Sequence, residues 1–241
     1  MSVKSIFLKG ILKLTVSDAA DRKPFRQIKS ANDKREMEKK VITMTKEIIL
    51  ESEKYFRIKL INSLAGIRQA SLIGTKSKDG QENLAIFNSV IHLGANPPLF
   101  GFISRPDVVE RDTLENIKES GTYTINLIDK KFVKEAHQTS ARYPKNVSEF
   151  DAVGFTPEYV GTIFPPFVKE AEIKIEMKLE QILNIEINHT ILVIGSIESV
   201  QIPENRLAED GLVKPENLLL SGGLDAYYSS QFLEQMPYAK P

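Results

Sequence analysis

The clearest periodic pattern in the chain is an alternation of apolar and charged side chains in EIKIEMKLEQIL, residues 172–183. Because successive side chains of a strand point to opposite faces, this pattern predicts a β-strand with one buried face. The segment NHTILVIGSIESVQI, residues 188–202, is more continuously apolar, which predicts a strand with both faces covered. In TYTINLI, residues 122–128, apolar residues alternate with threonine and asparagine, which predicts a half-buried strand.

Three further segments predict strands earlier in the chain. IRQASLIGTKS (residues 67–77) and QENLAIFNSVIHL (residues 81–93) are strand-like and are separated by KDG, a tight turn in which Gly80 supplies a positive φ. PPLFGFIS, residues 97–104, begins with two prolines, whose missing amide hydrogens are tolerated at the start of a strand. The first two segments therefore predict a β-hairpin, and the third adds a strand beside it.

Helical spacing of apolar residues occurs in residues 45–66, which predicts one helix with Thr45 as its N-cap and Gly66 at its end. Shorter helices are predicted over residues 113–120, which Gly121 ends, and within residues 130–143. Together with the strands, these helices give at least six strands, mostly antiparallel by their hairpin spacing, with helices inserted between them. We therefore expect a mainly β fold in which the strands form a closed or nearly closed barrel rather than a doubly wound parallel sheet.

The first 43 residues differ from the rest, with eleven basic and five acidic side chains and hence a charge of +6. We predict that residues 1–43 are a mobile N-terminal extension and that residues 44–241 form one domain with a C-terminal tail. A basic segment can also contact nucleic acid, but over the whole chain Lys plus Arg and Asp plus Glu are equal, at 32 each. We therefore expect neither nucleic acid nor a membrane surface as a partner.

Composition excludes several kinds of chemistry. There is no cysteine, which removes disulfides, thiolate nucleophiles and sulfur-ligated metals and is compatible with a reducing, cytoplasmic location. The chain also lacks the glycine-rich motifs of Rossmann and P-loop nucleotide sites and the G-x-S-x-G of α/β-hydrolases. The histidines, His92, His137 and His189, are scattered, so no metal site is expected.

Polar residues interrupt the strand NLAIFNSV, residues 83–90, with Asn83, Phe87 and Ser89 on one side and Asn88 on the other. A buried polar group without a partner costs roughly 1–3 kcal/mol, so these groups need hydrogen bonds. Either the neighbouring backbone or a bound ligand could supply them, and the strand alone leaves both alternatives open.

The stretch RPDVVERDTLENIKES, residues 105–120, has Arg105 and Arg111 beside the predicted start of a helix at Asp112 and Thr113. The first amides of a helix stabilise an anion, and guanidinium groups bind phosphate through paired hydrogen bonds. The alternative is a capping box, in which Asp112 and Glu115 cap the helix and the arginines pair with them or remain solvated. Because two arginines exceed what a cap needs, we favour a phosphate site.

Several ordered segments make residues 62–200 resemble the flavin reductase-like, FMN-binding split-barrel family, in particular the branch near the reductase components of two-component monooxygenases. These segments are NLAIFNSV, ANPPLFGFISRP, RDTLENIKESGTYTINLI, EAHQTSARYP, SEFDAVGFTPE and PPFVKEAEIKIEMKL. The resemblance implies a split β-barrel of Greek-key antiparallel strands and a homodimer with FMN at its interface. It also implies FMN reduction by NADH or NADPH.

The same resemblance implies which residues bind the cofactor. The matching positions are Asn83, Asn88 and Ser89 on one strand, Ser104 and Arg105 at the end of the next, Arg111 and Thr113 at the helix start, and Thr139 and Ser140 in the HQTS turn. His137, in that turn, is the candidate catalytic residue, acting on the electrostatics of the flavin. Asn88 departs from the family, in which serine or threonine is more usual at this position.

The implied function is hydride transfer from NAD(P)H to FMN, with reduced flavin supplied to a partner such as a monooxygenase component. The alternative is an FMN-binding or electron-storage module without nicotinamide-dependent turnover. The sequence does not distinguish NADH from NADPH, prosthetic from substrate flavin, or the final electron acceptor.

Overall fold

A computed structural model describes residues 41–106 and 112–240. The helices are α1 (Lys46–Glu51), α2 (Lys54–Leu64), α3 (Asp112–Ser120), α4 (Val133–Gln138) and α5 (Glu149–Val153). The strands are β1 (Arg68–Gln69), β2 (Ser71–Lys76), β3 (Glu82–Phe87), β4 (Ile91–Ala95), β5 (Pro98–Ser104), β6 (Thr122–Leu127), β7 (Pro157–Glu158), β8 (Phe167–Val168), β9 (Ile173–Ile185), β10 (Thr190–Gln201), β11 (Leu219–Ser221) and β12 (Tyr227–Ser229).

The main sheet has seven strands in the order β3-β2-β6-β9-β10-β5-β4, and every neighbouring pair is antiparallel. Its two edge strands, β3 and β4, are consecutive in the chain. The sheet curves so that Phe87, at the end of β3, packs edge-on against Phe102 of β5 with ring centroids 5.0 Å apart. The expected mainly β, antiparallel barrel is therefore confirmed, with the barrel split between its edge strands.

Two apolar clusters flank the sheet. The inner cluster fills the curve of the sheet and includes Ile73, Tyr123 and Met177, with Leu114 and Ile117 of α3 closing one end. The second cluster lies on the opposite face and joins Leu72 and Leu84 to Phe150 of α5 and the segment around Val168. A small sheet, in the order β1-β11-β12, brings the C-terminal hairpin β11–β12 beside the main sheet.

The single helix expected over residues 45–66 is wrong, because α1 ends at Glu51 and α2 begins at Lys54. The Glu53 side chain accepts a hydrogen bond from the amide of Phe56 and so caps a new helix. Arg57 donates to the carbonyls of Leu50 (2.9 Å) and Ser52 (3.0 Å), which satisfies acceptors that the break releases. These local bonds stabilise the break against the helical periodicity.

The single strand expected over residues 81–93 also divides, into β3 and β4, with residues 88–90 between them. The turn before it is as predicted, with Gly80 at φ +92°. The break allows β3 to pair with β2 while β4 pairs with β5, at the other edge of the sheet. One continuous strand could not pair with both β2 and β5, which lie near opposite edges of the sheet.

The burial of two strands differs from expectation. The polar face of β6 is covered, because Thr124 donates to Pro166 O (2.7 Å) and Asn126 accepts from the amide of Val168 (2.9 Å). On β10, by contrast, Ile191 and Val193 are buried but the opposite face is only partly covered in this chain. Continuous hydrophobicity in β10 therefore reflects a partly exposed apolar face rather than two buried faces.

A glycine in β10 permits a close approach inside the barrel. A Cβ atom at Gly195 would lie 2.4 Å from the hydroxyl of Tyr123 and 2.8 Å from Lys178 O. The β9–β10 register shifts between Ile194 and Gly195 at the same point. Burial raises the pKa of Tyr123, so this phenol stays protonated.

Candidate flavin site

A cleft of about 500 Å³ opens where β3, β5, α3 and the hairpin β11–β12 meet. It is lined by Ala85, Ile86, Phe87, Asn88, Ser89, Ile103, Ser104, Arg105, Asp112, Thr113, Thr139, Ser140, Ala141, Arg142, Tyr143, Lys145, Glu149, Ser221, Gly223, Leu224 and Tyr227. Seven of the residues predicted from the sequence therefore share one cavity: Asn88, Ser89, Ser104, Arg105, Thr113, Thr139 and Ser140. Arg111 lies outside the described residues.

Thr113, in the first turn of α3, is buried at the wall of the cleft, and Asn83 of β3 holds it there. The Asn83 amide donates to the Thr113 hydroxyl (2.9 Å) and to the Thr75 hydroxyl (3.1 Å). Asn83 itself does not line the cleft. Since the Thr113 oxygen accepts this bond and has no acceptor for its own proton among the described residues, that proton can be donated into the cleft.

Between β3 and β4, the polar side chains bond to backbone. The Ser89 hydroxyl donates to Ile103 O and accepts from Ile103 N, both at 3.1 Å. At this position the side chain therefore replaces the backbone groups in pairing with β5. The Asn88 amide donates to Gly223 O (2.6 Å), and Asn88 O accepts from Arg68 Nε (2.7 Å). The backbone therefore supplies partners for Asn88 and Ser89, whereas the partners of Asn83 are the two threonine hydroxyls.

The HQTS turn at the end of α4 contributes one wall. Thr139 is buried and donates to Ala136 O (2.8 Å), and Ser140 donates to His137 O (2.7 Å). Both hydroxyls thus satisfy carbonyls at the end of the helix. His137 does not line the cleft but a smaller recess of about 240 Å³ next to it, where its Nδ1 lies 2.8 Å from the hydroxyl of Tyr227.

Ser104 ends β5 at the cleft, where it is buried and makes a long hydrogen bond of 3.4 Å to Arg105 O. Its hydroxyl is therefore only weakly hydrogen bonded to the protein, and Ser104 lines the same cavity as Thr113.

Charged groups of both signs reach the cleft. Lys145 lies 4.0 Å from Asp112 Oδ1 and 3.7 Å from Glu115 Oε2, so this lysine, and not Arg105, pairs with the acids at the start of α3. Glu149 accepts from the amide of Leu84 (3.0 Å). Burial raises the pKa of Glu149, and the nearby Asp112 raises it further.

Two arginine side chains of the cleft form no salt bridge with the described residues. Within residues 41–106 and 112–240, neither Arg105 nor Arg142 has an ion-pair partner, although both line the cavity. With the acidic side chains of the cleft engaged by Lys145 and by backbone, these guanidinium groups are free to receive an anion.

Residues 85–89, at the end of β3 and just after it, line the cleft. Asn83, near the start of β3, contacts Thr113 of α3, and Asn88, which follows the strand, contacts Gly223 of the β11–β12 hairpin. Asn83 and Asn88 are five positions apart, which corresponds to at most roughly 16 Å of extended chain. A ligand with an anionic end and a planar, less polar end fits this arrangement, because Ile86, Phe87, Leu224 and Tyr227 supply apolar surface.

Sequence reasoning missed several lining residues, among them Arg142, Tyr143, Lys145, Glu149, Leu224 and Tyr227. Arg142 and Tyr143 follow the HQTS turn after one intervening residue, Ala141, so their proximity to it was the available signal. Leu224 and Tyr227 belong to a C-terminal segment without periodicity, and long-range contacts, among them the pairing of β11 with β1, bring them to the cleft. No local pattern indicates such a contact.

The described part of the chain lacks a metal-binding cluster and a membrane-spanning helix. It contains no group of three or more His, Cys, Asp or Glu side chains that could hold a metal ion. None of its helices is long and apolar enough to cross a membrane.

Comparisons with known proteins give the family. Residues 67–223 match the model of the flavin reductase like domain. A protein from Shewanella frigidimarina, assigned as a flavin reductase with a split barrel domain, is 45% identical, superimposes with a TM-score of 0.80, and is matched over 83% of this chain and 100% of its own.

More distant proteins share the fold. Nitrilotriacetate monooxygenase component B from Bacillus cereus is 24% identical with a TM-score of 0.71, over 82% of this chain and 99% of its own. A protein of uncharacterised function from Aquifex aeolicus is 26% identical over 78% of this chain and 96% of its own length. With the family model covering well over half of the sequence, the chain belongs to the flavin reductase-like domain family, whose members bind flavin on a split barrel.

Proposed function

We propose that the cleft binds FMN, with the phosphate at the start of α3 and the ring system toward the β11–β12 hairpin. The observation that carries this proposal is the Thr113 hydroxyl, which is buried at a helix start, is held by Asn83 and has no acceptor for its proton among the described residues, in a cleft that Arg105 also lines. Helix amides, a hydroxyl and a guanidinium form the donor set that a phosphate ester needs. Arg111, Ser104, Asn88, Ser89, Thr139 and Ser140 complete the proposed binding set.

We propose that the reaction is reduction of FMN by NADH or NADPH. When bound, FMN would supply the capacity to accept a hydride, and the protein would contribute binding, orientation and electrostatics. The side chains of the cleft hold the two ends of the ligand, and the apolar wall at Phe87 and Leu224 limits water at the ring end. His137 would influence the ring end through Tyr227, to which it is hydrogen bonded, rather than by direct contact.

The test is anaerobic mixing of the purified protein with FMN and each nicotinamide in turn. We expect the visible absorption band of oxidised flavin to disappear with NADH or NADPH, and to persist when the nicotinamide is omitted. A mixture in which FMN binds but neither nicotinamide bleaches it would contradict reductase activity and favour the second candidate below.

The second candidate is a flavin-binding or electron-storage module without nicotinamide turnover. What favours it is the fold shared with flavoredoxin of Desulfovibrio vulgaris and with an FMN-binding protein of Thermus thermophilus, neither of which is named as a reductase. The two candidates require the same cleft and differ only in whether a nicotinamide donates electrons there.

We further propose that reduced flavin passes to a partner protein. The fold shared with nitrilotriacetate monooxygenase component B supports a monooxygenase component as the receiver. A cytoplasmic location, where nicotinamides are available, is part of the same proposal.

We also propose a homodimer that covers the cleft. An outer apolar face is exposed in the single chain; it is formed by Ile91 and Leu93 of β4, Leu183 of β9 and Leu192 of β10. The exposed fractions of the side chains are 42% for Ile91, 41% for Leu93 and 40% for Leu183. Ile103 of β5 pairs with Leu192 and also lines the cleft, so this face adjoins the proposed flavin site. A second copy seated here would bury the apolar residues and close the open side of the cleft.

A further inference from the structure

Tyr227 forms a wall between two cavities. It lies on β12, four residues beyond the end of the matched family domain, and it lines both the cleft and the recess. The recess is otherwise formed by Val133, Lys134, His137 and Asp225. The tyrosine ring therefore has the cleft on one side and His137 on the other.

His137 fixes the orientation of this ring. The Tyr227 hydroxyl is 2.8 Å from His137 Nδ1, and the two rings pack edge to face with centroids 5.6 Å apart and planes at 87°. Burial, with a smaller effect of Asp225, raises the pKa of Tyr227, so the phenol keeps its proton and can donate it to His137 Nδ1 in the tautomer that leaves this nitrogen free to accept. A ring with a bonded hydroxyl and a packed edge has little freedom to rotate away from the cleft.

The position of Tyr227 along the cleft identifies which end of a ligand it meets. The hairpin that carries it is tied to the cleft by the bond from Asn88 to Gly223 O. Asn88 follows β3 and is five positions from Asn83, which contacts Thr113, a span of at most roughly 16 Å if the chain is extended. Tyr227 is thus at the end remote from the start of α3, beside the apolar side chain of Leu224.

We propose that Tyr227 contacts the aromatic ring system of the bound flavin and that His137 is the positioning residue that holds Tyr227 in place. This inference rests on the proposed function, since it requires FMN to lie with its phosphate at α3. Aromatic pairs prefer offset or edge-to-face packing, and a fixed phenol ring at the ring end of the cleft offers such a surface. The contact would not involve the phosphate, so Tyr227 would make it with riboflavin as well as with FMN.

Two substitutions of Tyr227 separate ring packing from the phenol. Tyrosine in contact with an excited flavin quenches its fluorescence by donating an electron, whereas phenylalanine is too hard to oxidise and leucine has no ring. We expect Tyr227→Phe and Tyr227→Leu both to increase the fluorescence of bound FMN. Only Tyr227→Leu should weaken binding strongly, by about tenfold for FMN and riboflavin alike, because an aromatic contact and its buried area are lost.

The neighbouring Tyr228 supplies a matched control. It points to the other side of β12, where its ring lies against Gly222, and it does not line the cleft. Tyr228→Leu should leave both fluorescence and affinity at the wild-type values. His137→Phe keeps an aromatic edge beside Tyr227 but removes the hydrogen-bond acceptor, and should increase the fluorescence of bound FMN part of the way toward that of Tyr227→Phe.

The experiment is a titration of wild-type and variant proteins with FMN and riboflavin, followed by fluorescence of the bound ligand at saturation. Unchanged fluorescence in both Tyr227 variants would overturn the contact, and unchanged fluorescence in His137→Phe would overturn the positioning role. If the wild-type protein binds neither ligand, the proposed function fails and this inference with it. If wild type binds FMN and the Tyr227 variants behave like wild type, only this inference is contradicted.

Discussion

At the scale of single residues, Asn83 and Thr113 show what alternation along a strand can and cannot specify. The pattern of NLAIFNSV correctly put Leu84 and Phe87 on opposite faces, since these residues join different apolar clusters. It could not indicate that Asn83 bonds to Thr113, because Thr113 is 30 positions further along the chain. The position of Thr113 in the proposed phosphate site therefore depends on the buried side-chain amide of Asn83, which a sequence pattern identifies only as polar.

Replacing Thr113 by valine tests this phosphate site. Thr113→Val keeps the shape of the side chain but removes the hydroxyl, and we expect FMN to bind more weakly by roughly 1.5–3 kcal/mol, the usual contribution of a hydrogen bond to a charged group. Riboflavin, which lacks the phosphate, should bind with unchanged affinity. Isothermal titration calorimetry with both ligands measures the difference.

Thr113→Ser is the matched control, because serine retains a hydroxyl that can accept from Asn83 and donate into the cleft. It should bind FMN nearly as well as wild type. An equal loss of FMN and riboflavin affinity in Thr113→Val would show that the substitution disturbs the barrel and not the phosphate site.

At the scale of elements, strand periodicity predicted β5, β6, β9 and β10 closely, but not where the chain changes partners. The single strand expected over residues 67–77 divides into β1 and β2, which belong to different sheets. The segment over residues 81–93 is strand-like throughout, yet the chain leaves β2 after Phe87 and joins β5 at Ile91. Ser89 makes the change possible by bonding both backbone groups of Ile103. Pairing of this kind depends on two edges of a curved sheet meeting, which no local propensity encodes.

The proposed dimer interface can be tested by a substitution in the edge strand β4. Leu93→Asp would introduce a charge on the outer apolar face, where the side chain of Leu93 packs over Gly101 and beside Leu192. We expect the wild-type protein to sediment as a dimer and Leu93→Asp as a monomer, because burying an unpaired carboxylate in an apolar interface is costly. Binding of FMN should weaken in parallel, since the cleft would lose its cover.

Leu212→Asp provides the comparison, because Leu212 is similarly exposed but lies in the segment between β10 and β11 and is not part of the outer apolar face. It should remain dimeric in sedimentation velocity. A monomeric wild-type protein, or a Leu93→Asp variant that stays fully dimeric, would be evidence against this interface.

At the scale of the whole molecule, the sequence predicted the fold class because long antiparallel strands leave strong periodic signals over residues 172–202. The cleft was predicted only in part, through segments that resemble a family. Its C-terminal wall, with Leu224 and Tyr227, arises from the packing of a short hairpin onto β1 and has no periodic signal of its own. The division between residues 1–43 and the following domain remains a prediction.

The most direct test of the central claim is a crystal structure of the protein grown with FMN. The expected result is FMN in the cleft, with its phosphate within hydrogen-bond distance of the Thr113 hydroxyl and its ring system beside Tyr227. An FMN molecule bound elsewhere, or bound in the cleft with its phosphate at the β11–β12 hairpin, would contradict it.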